Sequence, residues 1–426
     1  MPSPRIAVIG LGYVGLPLAA ALARHYDVVG FDISASRVAE LAGGHDRTGE
    51  IDAETLRSLS LRLTTDVAAL KGNEVFIITV PTPVDRDNRP DLGAVIAACR
   101  TVGAALGRGA IVVLESTVYP GVTEEICGPE LAKASGMKCG GDFFLGYSPE
   151  RINPGDREHT VARITKVVAG QTPEVTARLV EIYGRITSGG VFQARDIKTA
   201  EAAKVIENAQ RDINIAFMNE VTTIFNRLGL SIHDVLDASR TKWNFLPFTP
   251  GLVGGHCIGV DPYYLSTLAE RLGHHPQIIL AGRRTNDAMS HYIANAVAQQ
   301  IARRRPLEAA RVLVLGLTFK ENVPDLRNSK VVDIVKALAA QGCRVDVYDP
   351  HADREEARAE YGVDLLGALD GLEPFDAVIG AVPHDIFRRL TPAALGSLLA
   401  PSGLLADIKG IWRTVELAPN IRRWQL

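Results

Sequence analysis

Apolar residues in this chain fall first in short runs that end in glycine, proline or serine, then at helical spacing, then in short runs again. The run Ile6 to Ile9 leads into Gly10, Gly12 and Gly15, a helical pattern opens at Tyr13, and a second apolar stretch closes on Asp32. That order reads strand, glycine turn, helix, strand. The runs VFIITVP (75–81), AIVVLES (110–116), FFLGYSP (143–149) and KVVAG (166–170) continue the alternation, with helical segments between them. Continuous apolar strands separated by helices predict an α/β fold, a parallel, doubly wound sheet covered on both faces. From Asp196 to Leu228 there is neither glycine nor proline, and apolar residues recur at Ala202, Ile206, Ala209, Ile213, Phe217 and Ile224. This predicts one amphipathic helix of roughly 45 Å that joins two domains.

A second α/β unit begins near Ala310, with a strand, a turn at Gly316, a helix and a strand that ends at Asp349. It keeps only one of the phosphate-loop glycines, so it is Rossmann-like without a dinucleotide fingerprint and suits a substrate domain. The runs DAVIGAVP (376–383) and GLLADIKG (403–410) extend its sheet, and the charged, proline-bearing stretch Arg303 to Pro306 reads as the connection before it. The resulting division is 1–195, 196–305 and 306–426, two Rossmann-like domains joined by a long helix.

The glycine spacing of the first unit carries chemistry. Gly10 turns the chain, Gly12 lets a pyrophosphate approach the backbone, and Gly15 permits close packing of helix on strand, with phosphate at the helix N-terminus. Asp32 lies 22 positions after Gly10, where a carboxylate accepts both ribose hydroxyls and repels the 2′-phosphate of NADP; NAD is the expected cofactor. Arg37 stands against this, because an arginine there can greet a 2′-phosphate; its other reading is a solvated helix residue. Thr82, Thr117 and Glu150 fall at the carboxyl ends of strands, where ligands of such sheets bind, and equally suit turns, caps or a surface loop. Lys320 and Arg327 follow the first strand of the second unit, an anion-binding position or a solvated basic loop.

Composition narrows the class. At 426 residues, 46% hydrophobic and 22% charged, the chain is ordinary globular material for two to three domains. A net charge of −3, with no basic stretch beyond Arg303 to Arg305, argues against nucleic-acid or anionic-membrane partners. The five cysteines, Cys99, Cys127, Cys139, Cys257 and Cys343, are widely spaced and lack any CxxC, which indicates neither a disulfide framework nor a zinc or other metal site. With no charged leader before the first apolar run and no stretch of about 18 apolar residues, a reducing, cytoplasmic setting is expected. Cys257 sits in GLVGGHCIGVDPYYL (251–265), flanked by Gly251, Gly254, Gly255 and Gly259. Such a loop lets a ligand approach the main chain, so Cys257 reads as a nucleophile rather than a small buried hydrophobe. Lys204, Asn208 and Arg211 stand at i, i+4 and i+7 of the long helix and form one polar stripe, as any surface helix also does.

The chain resembles the UDP-glucose/GDP-mannose 6-dehydrogenase family over nearly its whole length, through VIGLGYVGLP (8–17), VPTP (80–83), EST (115–117), YSPERINPG (147–155), EAAKVIENAQRDINIAFMNE (201–220), GGHCIGVDP (254–262) and GLTFKENVPDLRNS (316–329). GGHC followed by IGVDPYYL, with KWNFLPF (242–248), looks like the branch oxidising UDP-N-acetylhexosamines, UDP-N-acetylglucosamine above all. The resemblance implies an NAD domain, a helical domain that pairs two subunits into a homodimer, and a UDP-sugar domain. It implies that Cys257 carries a thiohemiacetal and thioester, that Lys204 with Asp261 takes the alcohol proton through a water, that Lys204 and Asn208 hold the oxyanion, and that Glu150 activates water. It places Tyr13, Val14, Thr82, Thr117 and Arg327 beside the cofactor, and Arg151, Ile152, Arg211, Gly254, Phe319 and Lys320 beside the substrate. A two-electron β-hydroxyacid dehydrogenase and a non-catalytic NAD-binding protein remain as alternatives, separated by the NADH formed per substrate: two, one or none.

Overall fold

A computed structural model describes residues 3–151, 158–255 and 258–426. The chain forms two compact units, one of residues 1–208 with 263–275 and one of 209–262 with 276–426.

In the first unit, β1 (Arg5–Ile9), β2 (Asp27–Phe31), β3 (Leu61–Thr64), β4 (Val75–Ile78), β5 (Ile111–Leu114), β6 (Phe144–Tyr147), β7 (Lys166–Gly170) and β8 (Val191–Gln193) lie in the order β3-β2-β1-β4-β5-β6-β7-β8. Every described pair is parallel except β6 with β7, which are antiparallel through Gly146 opposite Gly170 and Tyr147 opposite Ala169. A parallel return needs a crossover, usually a helix, and the described part of the β6–β7 connection has only turns. The uniformly parallel sheet expected from the apolar runs is corrected at this one pair. Strand side chains such as Ile6, Val8, Val28, Ile77 and Val113 pack with Leu16, Leu18 and Leu22 of helix α1 (Gly15–Ala23) and with Leu179 and Ile182. The helix opens two residues later than the pattern at Tyr13 suggested.

In the second unit, β9 (Arg311–Leu315), β10 (Arg344–Tyr348), β11 (Phe375–Gly380), β12 (Leu399–Asp407) and β13 (Arg422–Gln425) form an all-parallel sheet in the order β10-β9-β11-β12-β13. Its two faces bury alternate residues of the same strands. Val312, Val314, Ala377 and Ile379 pack with Met289, Ile293, Val297 and Ile301 of the helix Gln277–Ala302, whereas Leu313, Leu315 and Val378 pack with Phe387 and Trp412. The helix that leads into Arg303 to Pro306 thus shares a core with the sheet that follows.

The two units repeat one backbone device. Gly10 and Gly316 both have φ of +95°, and each N–H donates at 2.8 Å to the carbonyl of the neighbouring strand's last residue, Phe31 or Tyr348. In each case the next amide, Leu11 or Leu317, donates to the carboxylate that follows that strand, Asp32 at 2.8 Å or Asp349 at 2.6 Å. The sequence expectation of two Rossmann-like halves is borne out at this level of detail.

The long helix spans Ile197–Leu228, one residue from its predicted start. Among the described residues no helix is long and apolar enough to cross a membrane.

Candidate active site

The carboxyl ends of β1, β2, β4, β5 and β6 bring together Gly10, Asp32, Thr82, Thr117 and Glu150 on one edge of the first sheet, about the point where strand order reverses between β1 and β4. A side chain at Gly15 is impossible: a Cβ there would meet the Gly10 carbonyl at 1.8 Å and the Thr79 hydroxyl at 2.4 Å, whereas one at Gly12 would meet nothing within 4 Å. Gly12 is exposed, so the turn leaves open backbone for a phosphate, and Tyr13 and Val14 follow it half-buried. Thr79 Oγ1 bonds the carbonyls of Ile9 and Gly10, a supporting contact that no motif announces. The half-buried Asp32 carboxylate accepts N–H from Leu11 at 2.8 Å and Ser34 at 2.9 Å, which leaves acceptor sites for ribose hydroxyls. These residues fit NAD.

Arg37 has a different place from either sequence expectation. It is 3% exposed and donates to the Leu11 carbonyl at 2.9 Å, to Glu40 at 2.9 Å and to Asp46 at 2.7 Å. Its guanidinium braces the glycine turn from beneath. The Asp46 carboxyl is held below the usual range: burial alone would raise it, but hydrogen bonds from Thr48, Arg37 and backbone amides outweigh that.

Thr82 and Thr117 are half-buried in neighbouring loops, which Ser116 Oγ ties together through the Val80 carbonyl at 2.6 Å. Glu150 is no surface acid. It is 5% exposed, accepts the Arg151 amide at 2.6 Å and pairs with the buried Lys166 ammonium at 2.7 Å. On the long helix, Lys204 and Asn208 are buried too, while Arg211 is exposed, so the surface-stripe reading fails for the first two. Asn208 Oδ1 accepts from Arg151 Nη1 at 2.9 Å, and Arg151 also pairs with Glu207. One turn before Lys204, buried Glu201 accepts the amides of Gly121 and Thr123 and the Thr123 hydroxyl, which fixes this end of the helix against the sheet unit. Burial pushes its carboxyl up to about 7, against those hydrogen bonds.

In the second unit the glycine loop is built on polar residues of two helices. Asn219 exchanges hydrogen bonds with both backbone groups of Gly251, and it donates to Asn286, which donates to Asp212. Arg283 pairs with Asp212 in the interior. Burial raises the Asp212 carboxyl despite that arginine. A Cβ at Gly254 would meet the Asn328 carbonyl at 2.7 Å, and one at Gly255 (φ +78°) would meet the Phe319 ring at 2.8 Å. The loop therefore lies directly on the segment that carries Phe319, Lys320 and Arg327. Phe319 and Lys320 are half-buried, and Arg327 forks onto Asp325. Asp349 is closed to a ribose: it takes five donors, from Leu317, Thr318, His351, Ala352 and His384, and burial notwithstanding they hold its carboxyl well below the usual range. Asp261 is buried at the first position of the helix Asp261–Arg271. Cys257 and Ile152 lie outside the described residues. Among the described residues no cluster of His, Cys, Asp and Glu suits a metal.

Known proteins match this chain over nearly its whole length. The UDP-glucose/GDP-mannose dehydrogenase family matches by its NAD binding domain at residues 4–187, its central domain at 198–288 and its UDP binding domain at 313–414. A UDP-N-acetyl-D-glucosamine 6-dehydrogenase of Pseudomonas aeruginosa is 51% identical over 96% of this chain and 97% of its own, and the protein CapL of Staphylococcus aureus is 50% identical over 99% of each. The structure of a UDP-D-ManNAc dehydrogenase from Pyrococcus horikoshii superposes with a TM-score of 0.89 at 30% identity, covering 98% of both chains. The chain belongs to the UDP-glucose/GDP-mannose dehydrogenase family. It is an NAD-dependent nucleotide-sugar dehydrogenase, with NAD as its cofactor and a UDP-sugar as its substrate.

Proposed function

We propose that the protein oxidises carbon 6 of UDP-N-acetylglucosamine to the uronate, in four electrons, for bacterial surface polysaccharide synthesis. NAD bound at the glycine turn supplies the hydride acceptor, used twice per sugar. In this reading Lys204, with Asp261, takes the alcohol proton through a water, and Lys204 and Asn208 hold the charge that develops on oxygen. Cys257 adds to the aldehyde and retains it as a thiohemiacetal, whose oxidation leaves a thioester. Glu150 then removes a proton from the water that opens it. Arg151, Ile152, Arg211, Gly254, Phe319 and Lys320 bind the UDP-sugar, and Tyr13, Val14, Thr82, Thr117, Arg37 and Arg327 support the cofactor.

The observation that carries this reading is the burial of Lys204, Asn208 and Glu150, each unsuited to an apolar interior unless chemistry or a partner requires it. Relatives named as UDP-N-acetyl-D-glucosamine 6-dehydrogenases, at 51% and 48% identity, favour that sugar. A site that hydrogen-bonds the acetamido group leaves buried polar groups unpaired when glucose enters, a discrimination on the order of 10³-fold. Kinetics with UDP-N-acetylglucosamine, its galacto and manno epimers and UDP-glucose test the assignment, and a higher kcat/KM on UDP-glucose would overturn it.

We read the working unit as a cytoplasmic homodimer, with residues 1–195, 196–305 and 306–426 as cofactor, pairing and sugar domains. What supports the pairing is the long helix itself. Ile206, Phe217, Ile224 and Leu228, at heptad-like spacing, are 49–67% exposed, an apolar stripe that a second copy would cover.

A further inference from the structure

Behind Glu150 the first unit buries three ionisable side chains, Lys166, Glu115 and Tyr183, that the reaction described above does not use. Lys166 opens β7 with its side chain fully buried, and its ammonium donates to Glu150 Oε2 at 2.7 Å and to Glu115 Oε2 at 3.2 Å. The Tyr183 hydroxyl donates to the other Glu115 oxygen at 2.5 Å, and the ammonium stands 5.2 Å from the Tyr183 ring centre. One cation therefore serves two carboxylates. A buried lysine kept only for stability needs a single partner; the second acid adds desolvation and repulsion that nothing in the packing requires. Its position explains it. Glu115 follows β5, Glu150 follows β6, and Lys166 joins them beneath the edge where substrate chemistry is placed.

We propose that Lys166 is a positioning residue for Glu150: anchored from behind by Glu115 and Tyr183, its ammonium fixes one oxygen of the Glu150 carboxylate and leaves the other to take a proton from water. The inference rests on the reading of Glu150 as the water-activating base. In that step a water oxygen bonds to the thioester carbon and Glu150 takes one water proton. The carbon–sulfur bond breaks with its electron pair on sulfur, and the proton passes from Glu150 to solvent or to the freed thiolate. Lys166 keeps its own proton throughout. Burial alone would lower the ammonium, but Glu115 and Glu150 hold it above the usual lysine range. Burial pushes the Glu115 carboxyl up to about 7, Lys166 only partly offsetting it, and raises Tyr183 well above the usual phenol range, so that it remains a donor. Among the described residues, Glu150 is faced by Lys166, by Glu115 with Tyr183 behind it, and by the Arg151 amide, while the Arg151 guanidinium bonds Asn208 and Glu207.

The test is the pH dependence of uronate release by the full-length enzyme, with NAD binding as the check of folding. Lys166→Met removes the cation that the two carboxylates share. It should slow uronate release roughly tenfold or more and move the acidic limb of the profile upward by about one pH unit, while the first hydride transfer is retained. Lys166→Arg should restore both. Lys166→Gln, which keeps a donor to both carboxylates but no charge, should move the limb the same way as Lys166→Met, and it decides the matter where Lys166→Met does not fold. An unmoved limb in the folded variants, with Glu150→Gln unable to release uronate, overturns the role of Lys166 and leaves that of Glu150 standing. Release by Glu150→Gln at the parent rate overturns the reading of Glu150 itself, and the inference with it.

Discussion

Arg37 offers a prediction in which sequence and structure point to different outcomes. Read from sequence, an arginine five residues after Asp32 bears on the choice between NAD and NADP. In the structure its side chain is 4% exposed and its ion partner Asp46 fully buried, 2.7 Å away. Removing one member of a buried pair typically costs about 3–5 kcal/mol, because the other charge stays behind. Asp46 keeps the Thr48 hydroxyl and the amides of Thr48, Glu50 and Ile51, which places Arg37→Met near the lower end, at about 3 kcal/mol. Chemical denaturation should show this loss at neutral pH. The Asp46 carboxyl is depressed in the folded protein, so its stabilisation is present above the ordinary carboxylate range and lost as pH falls through the folded value; the gap between parent and variant should narrow in acid. The ratio of kcat/KM for NAD over NADP should stay within a few-fold. A variant of parental stability whose cofactor ratio moved more than tenfold would refute the reasoning and return Arg37 to the phosphate.

Three further outcomes follow from the same geometry. Cys257→Ser should accumulate little or no uronate while still binding NAD, since an oxygen adduct does not proceed readily to an acyl group that water can open; parental uronate formation would remove the covalent role. Phe217→Asp with Ile224→Asp should shift the protein to monomer in light scattering, and an unchanged dimer would place the pairing surface elsewhere. Gly255→Ala puts a Cβ at φ +78° and 2.8 Å from the Phe319 ring, so turnover should fall at least tenfold with Asp212, Asn219 and Asn286 untouched; a parental rate would show that the loop is not held by Phe319.

Much of the fold was legible because its signals are local. Apolar runs ending in glycine, proline or serine marked β1, β4, β5 and β7, and the absence of glycine and proline located the long helix to within a residue. The antiparallel β6–β7 pair was not legible, because strand direction depends on the connection and not on the strand. Ala202, Ile206, Ala209, Ile213, Phe217 and Ile224 were read as one apolar face, but Ile206, Phe217 and Ile224 are exposed while Ala209 is buried, as are Val205 and Met218, a division that spacing cannot give. At the site, Gly10, Gly15 and Asp32 carry their roles in their spacing. Lys166, Glu115 and Tyr183, or Asn219, Asn286 and Arg283, do not: each trio meets only when elements distant in sequence pack together, and a lysine opening an apolar strand was the only local trace of the first. Arg37 shows the converse, a motif position whose side chain tertiary packing turns inward.

The number of NADH molecules formed for each UDP-N-acetylglucosamine consumed tests the central claim most directly, with uronate quantified in the same reaction. Retention of the aldehyde on the enzyme until the second oxidation predicts a ratio of two to one from the earliest time points, one uronate per sugar and no free aldehyde trapped by an added amine nucleophile. A ratio of one, with aldehyde or ketone as the product, would contradict the four-electron account.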